Sequence, residues 1–554
     1  MSDTQRRLFQ CAAASWPARA RITNALLRAE DYESPGLPVL RGATAFYRSR
    51  LSGESNFCLR RAGIDRRSGR FLSVRILFDP GQFHPGGTAV LNAFSVSPDG
   101  AHVVAEVALD GKETGEFLVI DTATANQQPV PRLRARYASV TWLPDSSGFW
   151  CTARRDSEDD ERYFCQPLIE GVVVHDPPAP VEATLSRSAA SVSVGGRSLS
   201  LRTEHGASVL TLRGSSPTEI NLGLDRLMHV ERFSANAVGD DQETWVVASD
   251  PGTPPRLYRH DLQTRQTQVF SGRLREDGLN LTHHLVVATM SDGVEVDLIV
   301  SARRSDLDAH GRPIQARPLI LTCYGGFGVS SVPAYEASLP AWLELGGVFV
   351  TAQIRGGGEK GPAWHAAGRR GNKLRAVADL VECAEFLHAT GWCTPASLCL
   401  MGASHGGLIV LAAALGRPGL CTAVACTAPL LDMTEFHHDG FGARWIGEFG
   451  DPADPADRAL LVRYSPQHLL DALPHGSPLP AVLCAVFEAD ERVPPVRAME
   501  FVHALQRRGG RAWLRSEPEA GHGPKPLDLV RRFSADLLSF AAAQTHQATL
   551  PGHI

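Results

Sequence analysis

The stretch Leu398-Cys399-Leu400-Met401-Gly402-Ala403-Ser404-His405-Gly406-Gly407-Leu408-Ile409-Val410 constrains the fold more than any other part of the chain. An apolar run ends abruptly in Gly-x-Ser-x-Gly, and the apolar residues that follow, through Ala414, have helical character. This predicts a buried strand that turns sharply into a helix, with Gly402 and Gly406 removing side chains that would block the turn. Ser404 is left at the apex, beside a helix N-terminus whose free amides can stabilise a negatively charged oxygen. Taken alone, the same string is also compatible with a plain glycine-rich turn.

Two later stretches supply the context. The apolar run Ala481–Phe487 reads as a buried strand and ends in Glu488-Ala489-Asp490-Glu491-Arg492-Val493-Pro494. Further on, Glu519-Ala520-Gly521-His522-Gly523-Pro524 follows the short strand Ala512-Trp513-Leu514-Arg515. Serine, acid, histidine is the chain order of an α/β-hydrolase. A serine hydroxyl attacks poorly until an imidazole takes its proton, and a carboxylate must hold that imidazole in the correct tautomer. Ser404 is therefore assigned as nucleophile, His522 as general base and then acid, and Asp490 as orienter. Glu488 and Glu491 compete with Asp490, which is preferred because it starts the turn after the strand.

Residues 318–322, 348–353, 397–401, 422–426, 481–487 and 512–515 read as strands, and 374–388, 496–506 and 527–542 as helices. This is a doubly wound, mostly parallel sheet, whose active groups gather at the C-terminal strand ends. Tyr324, Ser404, Asp490 and His522 fall at or just after such ends.

These residues, with three more motifs, resemble the prolyl oligopeptidase family of serine peptidases. Leu321-Thr322-Cys323-Tyr324-Gly325-Gly326-Phe327 is similar to that family's Tyr-Gly-Gly-Phe loop. Ile354-Arg355-Gly356-Gly357-Gly358-Glu359 with Trp364-His365 is similar to its Arg-Gly-Gly-Gly-Glu element, and Phe441-Gly442-Ala443-Arg444-Trp445 to the segment carrying its specificity tryptophan. The resemblance covers roughly residues 285 to 540 well and the earlier part in outline. It implies that the Tyr324 hydroxyl joins the His405 backbone amide in an oxyanion site, each well-placed donor being worth about 3 to 4 kcal/mol. It also implies that Trp445 and Phe327 sandwich a proline ring, that Val493 completes the apolar lining, and that Arg492 binds a substrate main-chain carbonyl. A pyrrolidine ring has an apolar body and no N–H to satisfy, so aromatic walls suit it. His405 stands where the family usually has asparagine, and its side chain is expected to alter the pocket rim or its pH response. Phe449 stands at a substrate-binding position where the family commonly has tyrosine.

From about residue 40 to 280 the texture changes to short strands and turns. Phe94-Ser95-Val96-Ser97-Pro98-Asp99-Gly100 and Val140-Thr141-Trp142-Leu143-Pro144-Asp145-Ser146-Ser147-Gly148 each place a strand before a Pro-Asp turn, with weaker echoes at Ser193-Val194-Gly195-Gly196 and Ala237-Val238-Gly239-Asp240. A period of about 46 to 50 residues suits a four-stranded propeller blade. Roughly five units fit, fewer than the seven blades of the family's usual propeller. A pair of β-sandwiches is the alternative. The expected organisation is an N-terminal helical segment over 1–40 packing on the hydrolase, a β-propeller-like domain over 41–280, and an α/β-hydrolase peptidase domain over 281–554.

At 554 residues the chain is too long for one core. A net charge of -5 gives no electrostatic reason to expect nucleic acid or an anionic membrane as partner. The 11 cysteines are scattered through apolar runs without Cys-x-x-Cys pairs, which fits reduced, buried thiols. No stretch is long enough to cross a bilayer. The arginine pair Arg6-Arg7 starts an amphipathic helix rather than an export signal, so the cytoplasm is favoured. The expectation is a serine oligopeptidase cleaving short peptides after proline through an acyl-enzyme, with no metal or organic cofactor. Alternatives are a peptidase or transpeptidase maturing one peptide natural product, a related oligopeptidase of different residue preference, and a catalytically silent propeller protein.

Overall fold

The computed structural model describes residues 3–545 apart from 66–69, 85–87, 113, 155–159, 169–170, 176–190, 195–196, 205–206, 214–217, 221, 223–226, 239–240, 273–278, 519 and 524–525. Helices α1 (Asp3–Ala14) and α2 (Arg19–Glu30) open the chain. They bury Ala13, Trp16, Ile22, Ala25 and Leu26 in a core shared with Leu339, Phe533 and Phe540 from the far end of the sequence.

Residues 39–271 form antiparallel sheets built from hairpin-connected strands. The first has strands Val39–Arg41, Thr44–Ser49, Cys58–Asp65 and Arg70–Phe78, the fourth Ser191–Val194, Arg197–Glu204, Ala207–Arg213 and Thr218–Glu219, and the fifth His229–Val238, Asp241–Asp250, Thr253–Asp261 and Thr267–Ser271. The second and third are joined by one long strand, Gln127–Trp142. It pairs with Gly115–Asp121 through residues 127–135 and with Phe149–Arg154 through residues 136–142. Among the described residues this makes five four-stranded units. Neighbouring units share apolar cores, first with second, second with third and fourth with fifth. The fifth unit also packs back on the first, where Trp245, Val247, Leu257 and Phe270 meet Ile64 and Phe71. A last unit packed back on the first is the order of a propeller rather than of a pair of sandwiches, and five of its blades lie among the described residues.

Both Pro-Asp motifs are the turn between first and second strands of consecutive blades. Asp99 Oδ1 accepts from the Ala101 amide at 2.9 Å and Asp145 Oδ1 from the Ser147 amide at 3.1 Å. The two turns touch, the Asp99 amide donating to Ser146 Oγ at 3.1 Å. The weaker echoes lie at the same turn of the fourth and fifth blades, although Gly195, Gly196, Gly239 and Asp240 themselves lie outside the described residues.

The catalytic half is an eight-stranded sheet, β1 (Leu281–Thr289), β2 (Glu295–Arg303), β3 (Leu319–Cys323), β4 (Val348–Ala352), β5 (Leu398–Ala403), β6 (Ala423–Thr427), β7 (Ala481–Phe487) and β8 (Ala512–Glu517), in spatial order β1-β2-β4-β3-β5-β6-β7-β8. β1 pairs antiparallel with β2 and β2 with β4; the remaining pairs are parallel. Sequence reading located β3 to β8 and passed over the first two strands. Helices α3 (Ser338–Glu344), α4 (Lys373–Ala389), α5 (His405–Gly416), α6 (Val496–Arg507) and α7 (Leu527–Thr545) cover the sheet. One face packs on α4, α5 and α6, the other on α2, α3 and α7, which explains why the parallel strands are apolar throughout.

Candidate active site

The turn between β5 and α5 places Ser404 at φ 54 and ψ -119, a conformation that side chains seldom adopt. The elbow is held because Ser404 N–H donates to the Thr427 carbonyl at 2.8 Å and its own carbonyl accepts from Leu408 N–H at 3.2 Å. It also depends on missing side chains. A Cβ on Gly402 would stand 2.4 Å from the Gly406 oxygen, and one on Gly406 would stand 2.5 Å from the Cys323 oxygen.

Asp490 follows β7 and is anchored from two sides. Its Oδ1 accepts the amides of Arg492 at 2.8 Å and Val493 at 3.0 Å, which leaves Oδ2 to His522 Nδ1 at 2.7 Å. An Asp490 carboxylate accepts only, so Nδ1 carries the proton and Nε2 of His522 is free to act as base. The competing acids are elsewhere: Glu488 accepts from Ser516 Oγ at 2.6 Å, and Glu491 is exposed. Ser404, His522, Tyr324 and Arg492 line one cavity of about 720 Å³, to whose wall the fifth blade contributes Pro251. Glu519 and Pro524 of the histidine motif lie outside the described residues.

Tyr324 leaves the end of β3 and lines the same cavity as Ser404. Burial pushes this phenol above its ordinary value, against the opposing influence of the nearby Ser404 hydroxyl. It therefore stays protonated and able to donate. The loop it starts is braced by the Arg355 element: Gly328 N–H donates to the Gly356 carbonyl at 3.1 Å, and Ser331 N–H to Glu359 Oε1 at 2.7 Å. Arg355 is itself clamped by Asp379, with Nη2 to Oδ1 at 2.5 Å.

Phe327, Trp445, Phe449 and Val493 pack in one apolar cluster. Phe327 and Trp445 meet edge to face, centroids 6.3 Å apart and planes at 74°. Where a sandwich was expected the two rings form a corner, and the Phe449 ring also packs against Phe327 at 5.6 Å. The His405 side chain departs from expectation too. It is fully buried, not at the rim, and contacts Tyr324, Lys373 and Phe449. Buried Lys373 and Glu448, with half-buried His365, form a network behind it that sequence reading missed; only Trp364-His365 carried a signal, as part of a quoted motif.

The sequence model of the prolyl oligopeptidase family matches residues 333–548, and that of the family's N-terminal β-propeller domain matches residues 3–175. The chain belongs to the prolyl oligopeptidase family. A prolyl endopeptidase of Elizabethkingia meningoseptica is 23% identical over 95% of this chain and 88% of its own length. A dual function macrocyclase-peptidase of Galerina marginata is 30% identical over 54% of this chain and 42% of its own length. A solved prolyl endopeptidase superposes with a TM-score of 0.82 at 24% identity, covering 98% of this chain and 94% of that one. This family member is a serine-type peptidase. Among its described residues no helix is long and apolar enough to cross a membrane.

Proposed function

We propose that the protein hydrolyses short peptides on the carboxyl side of proline. The observation that carries this is the Phe327–Trp445 corner, in which Phe327 meets the ring of His405, the residue after Ser404, and Trp445 shares a crevice with Arg492 on the wall of the cavity that Ser404 and His522 line. The two perpendicular faces accept the faces of a pyrrolidine ring without leaving a donor unpaired. His522 Nε2 takes the Ser404 proton as Oγ attacks the carbonyl, and the negative oxygen is met by the Tyr324 hydroxyl and the His405 amide. His522 then gives the proton to the departing amine, and water repeats the sequence on the acyl-enzyme. Arg492, on the cavity wall, takes a substrate main-chain carbonyl. The propeller over residues 41–280 limits access to flexible peptides. Eleven free thiols, ten of them buried, support a cytoplasmic location.

The test is a Pro-containing chromogenic peptide together with a serine-directed phosphonate. Wild type is expected to turn over the first and be labelled by the second, and Ser404→Ala to do neither; retention of both by the variant refutes the assignment. A second reading, maturation of a peptide natural product, is favoured by the similarity to the Galerina marginata macrocyclase-peptidase. Product masses separate the two, since ligation yields a product lighter by one water than hydrolysis does.

A further inference from the structure

His405 has a second link to the oxyanion site besides its amide. Its Nδ1 lies 2.7 Å from the carbonyl oxygen of Tyr324, and its Nε2 lies 3.1 Å from Lys373 Nζ. A carbonyl oxygen only accepts, so Nδ1 must hold the ring proton. Nε2 is then a lone pair, and the only group it can take is an ammonium N–H. The ring is consequently neutral, with both nitrogens satisfied inside a fully buried site. Burial and the adjacent Lys373 charge both hold it well below the ordinary imidazole value.

The rest of the network removes the ring's remaining freedom. Lys373, itself fully buried, donates to Glu448 Oε1 at 2.8 Å, and the other Glu448 oxygen meets His365 Nε2 at 2.7 Å. The imidazole stacks on Phe449 at 5.6 Å and 15° and receives the edge of Phe327 at 5.8 Å. It also fills the space beside Gly326, where a Cβ would stand 2.6 Å from the ring.

We propose that His405 is a positioning residue for the oxyanion hydroxyl: as a neutral, Nδ1-protonated imidazole it ties the Tyr324 carbonyl to the buried Lys373–Glu448 ion pair and so fixes where the Tyr324 hydroxyl points. The carbonyl belongs to the same residue as the phenol, so holding its peptide plane holds the Cα–Cβ bond from which the ring projects. One residue then supplies one oxyanion donor and aims the other. Asparagine carries its donor and acceptor on one short amide, whereas imidazole carries them on opposite edges of a rigid ring. Small displacements of catalytic groups lower rates by roughly ten- to hundredfold, without altering ground-state binding to match.

This inference rests on the oxyanion role of Tyr324 in the proposed function, and the experiment separates the two. Wild type, His405→Asn, Tyr324→Phe and the double variant are compared by kcat and KM on a Pro-containing peptide. They are also compared by inhibition with a peptidyl-proline aldehyde, which forms an oxyanion on Ser404, and with the matching amide, which does not. His405→Asn is expected to lower kcat about tenfold, with KM changed less than about twofold, and to weaken the aldehyde but not the amide. In the Tyr324→Phe background it is expected to add less than about twofold, because the group it aims is gone. Losses that multiply in the double variant, or equal weakening of aldehyde and amide, overturn the proposal. If wild type fails to cleave the peptide, the proline reading fails. The same four-way comparison is then read from the rate of fluorophosphonate labelling, which passes through Ser404 and the oxyanion site whatever the specificity. His405→Phe keeps the stacking ring and lacks both hydrogen bonds; activity equal to wild type in a folded His405→Phe also overturns the proposal.

Discussion

At the scale of single residues, the site is a set of hydrogen bonds whose directions leave few choices. Asp490 accepts two backbone amides and one imidazole N–H. Asp490→Asn keeps that shape but can present an N–H toward Nδ1, which favours the wrong His522 tautomer. Its kcat is expected to fall by about four orders of magnitude with KM little changed, as steady-state kinetics will read. Tyr324 leads to a pH prediction. Its phenol is raised by burial above the ordinary 10.0, with the nearby Ser404 hydroxyl opposing. The neutral, donating form therefore persists as pH rises to that ordinary value and is lost only above it. The log kcat profiles of wild type and Tyr324→Phe are expected to run parallel up to about pH 10. A wild-type profile that drops toward the variant's below that pH would contradict it. Ser404, Asp490 and His522 could be picked out in the sequence because strand-end motifs and chain order mark them, whereas Phe327 and Trp445 were singled out only through the resemblance to the family. Lys373 and Glu448 were not, because a buried ion pair leaves no local pattern.

Among elements, the blades show how repeats can hide in dissimilar sequences. Asp121 and Asp261 occupy the same turn, between third and fourth strands, in the second and fifth blades. Asp121 Oδ1 accepts the amides of Ala123 at 3.0 Å and Thr124 at 2.7 Å, and Asp261 Oδ1 those of Gln263 at 2.9 Å and Thr264 at 2.9 Å. Each turn ends in a left-handed residue, Ala125 or Arg265. The only shared letters are an aspartate and a threonine three positions on, a signal too thin to find unaided. The amides of Thr124 and Thr264 are the leading cause that lowers these two carboxylates below their ordinary 3.8. A depressed carboxylate stabilises the fold above its unfolded value, and that contribution is lost as pH falls through the folded value. Asp121→Ala and Asp261→Ala are each expected to cost about 1 kcal/mol near pH 7. In thermal melts the gap from wild type is expected to close as pH drops below about 3.8. The hydrolase half was easier to read, since β3 to β8 are continuous apolar runs separated by helices. β1 and β2 lack the strand-helix alternation that exposed the others.

For the whole molecule, the decisive contact joins the two halves beside His522. The hairpin at Asp110-Gly111 in the second blade lies against Ala520-Gly521, where a Cβ on Gly521 would stand 2.0 Å from the Gly111 oxygen. Close by, Leu527 N–H donates to the Ser55 carbonyl of the first blade at 3.0 Å. The loop that carries the imidazole is thereby seated on the propeller. Gly521→Ala is expected to lower kcat/KM at least about tenfold, with a loss of roughly 1 to 3 kcal/mol from overpacking. Kinetics with denaturant melts will check both, and unchanged kinetics would mean the seat does not matter for catalysis. Local patterns in the chain were enough to specify strands β3 to β8 of the hydrolase half, its elbow at Ser404 and the order serine, acid, histidine, because strand burial and glycine at a tight turn act over a few neighbouring residues. The packing of the fifth blade back on the first, the corner formed by Phe327 and Trp445, the inward turn of His405 and the Gly111–Gly521 seat were decided only by the tertiary structure. Each is a packing relation between segments far apart along the chain, and what fits depends on the space that the other segment leaves.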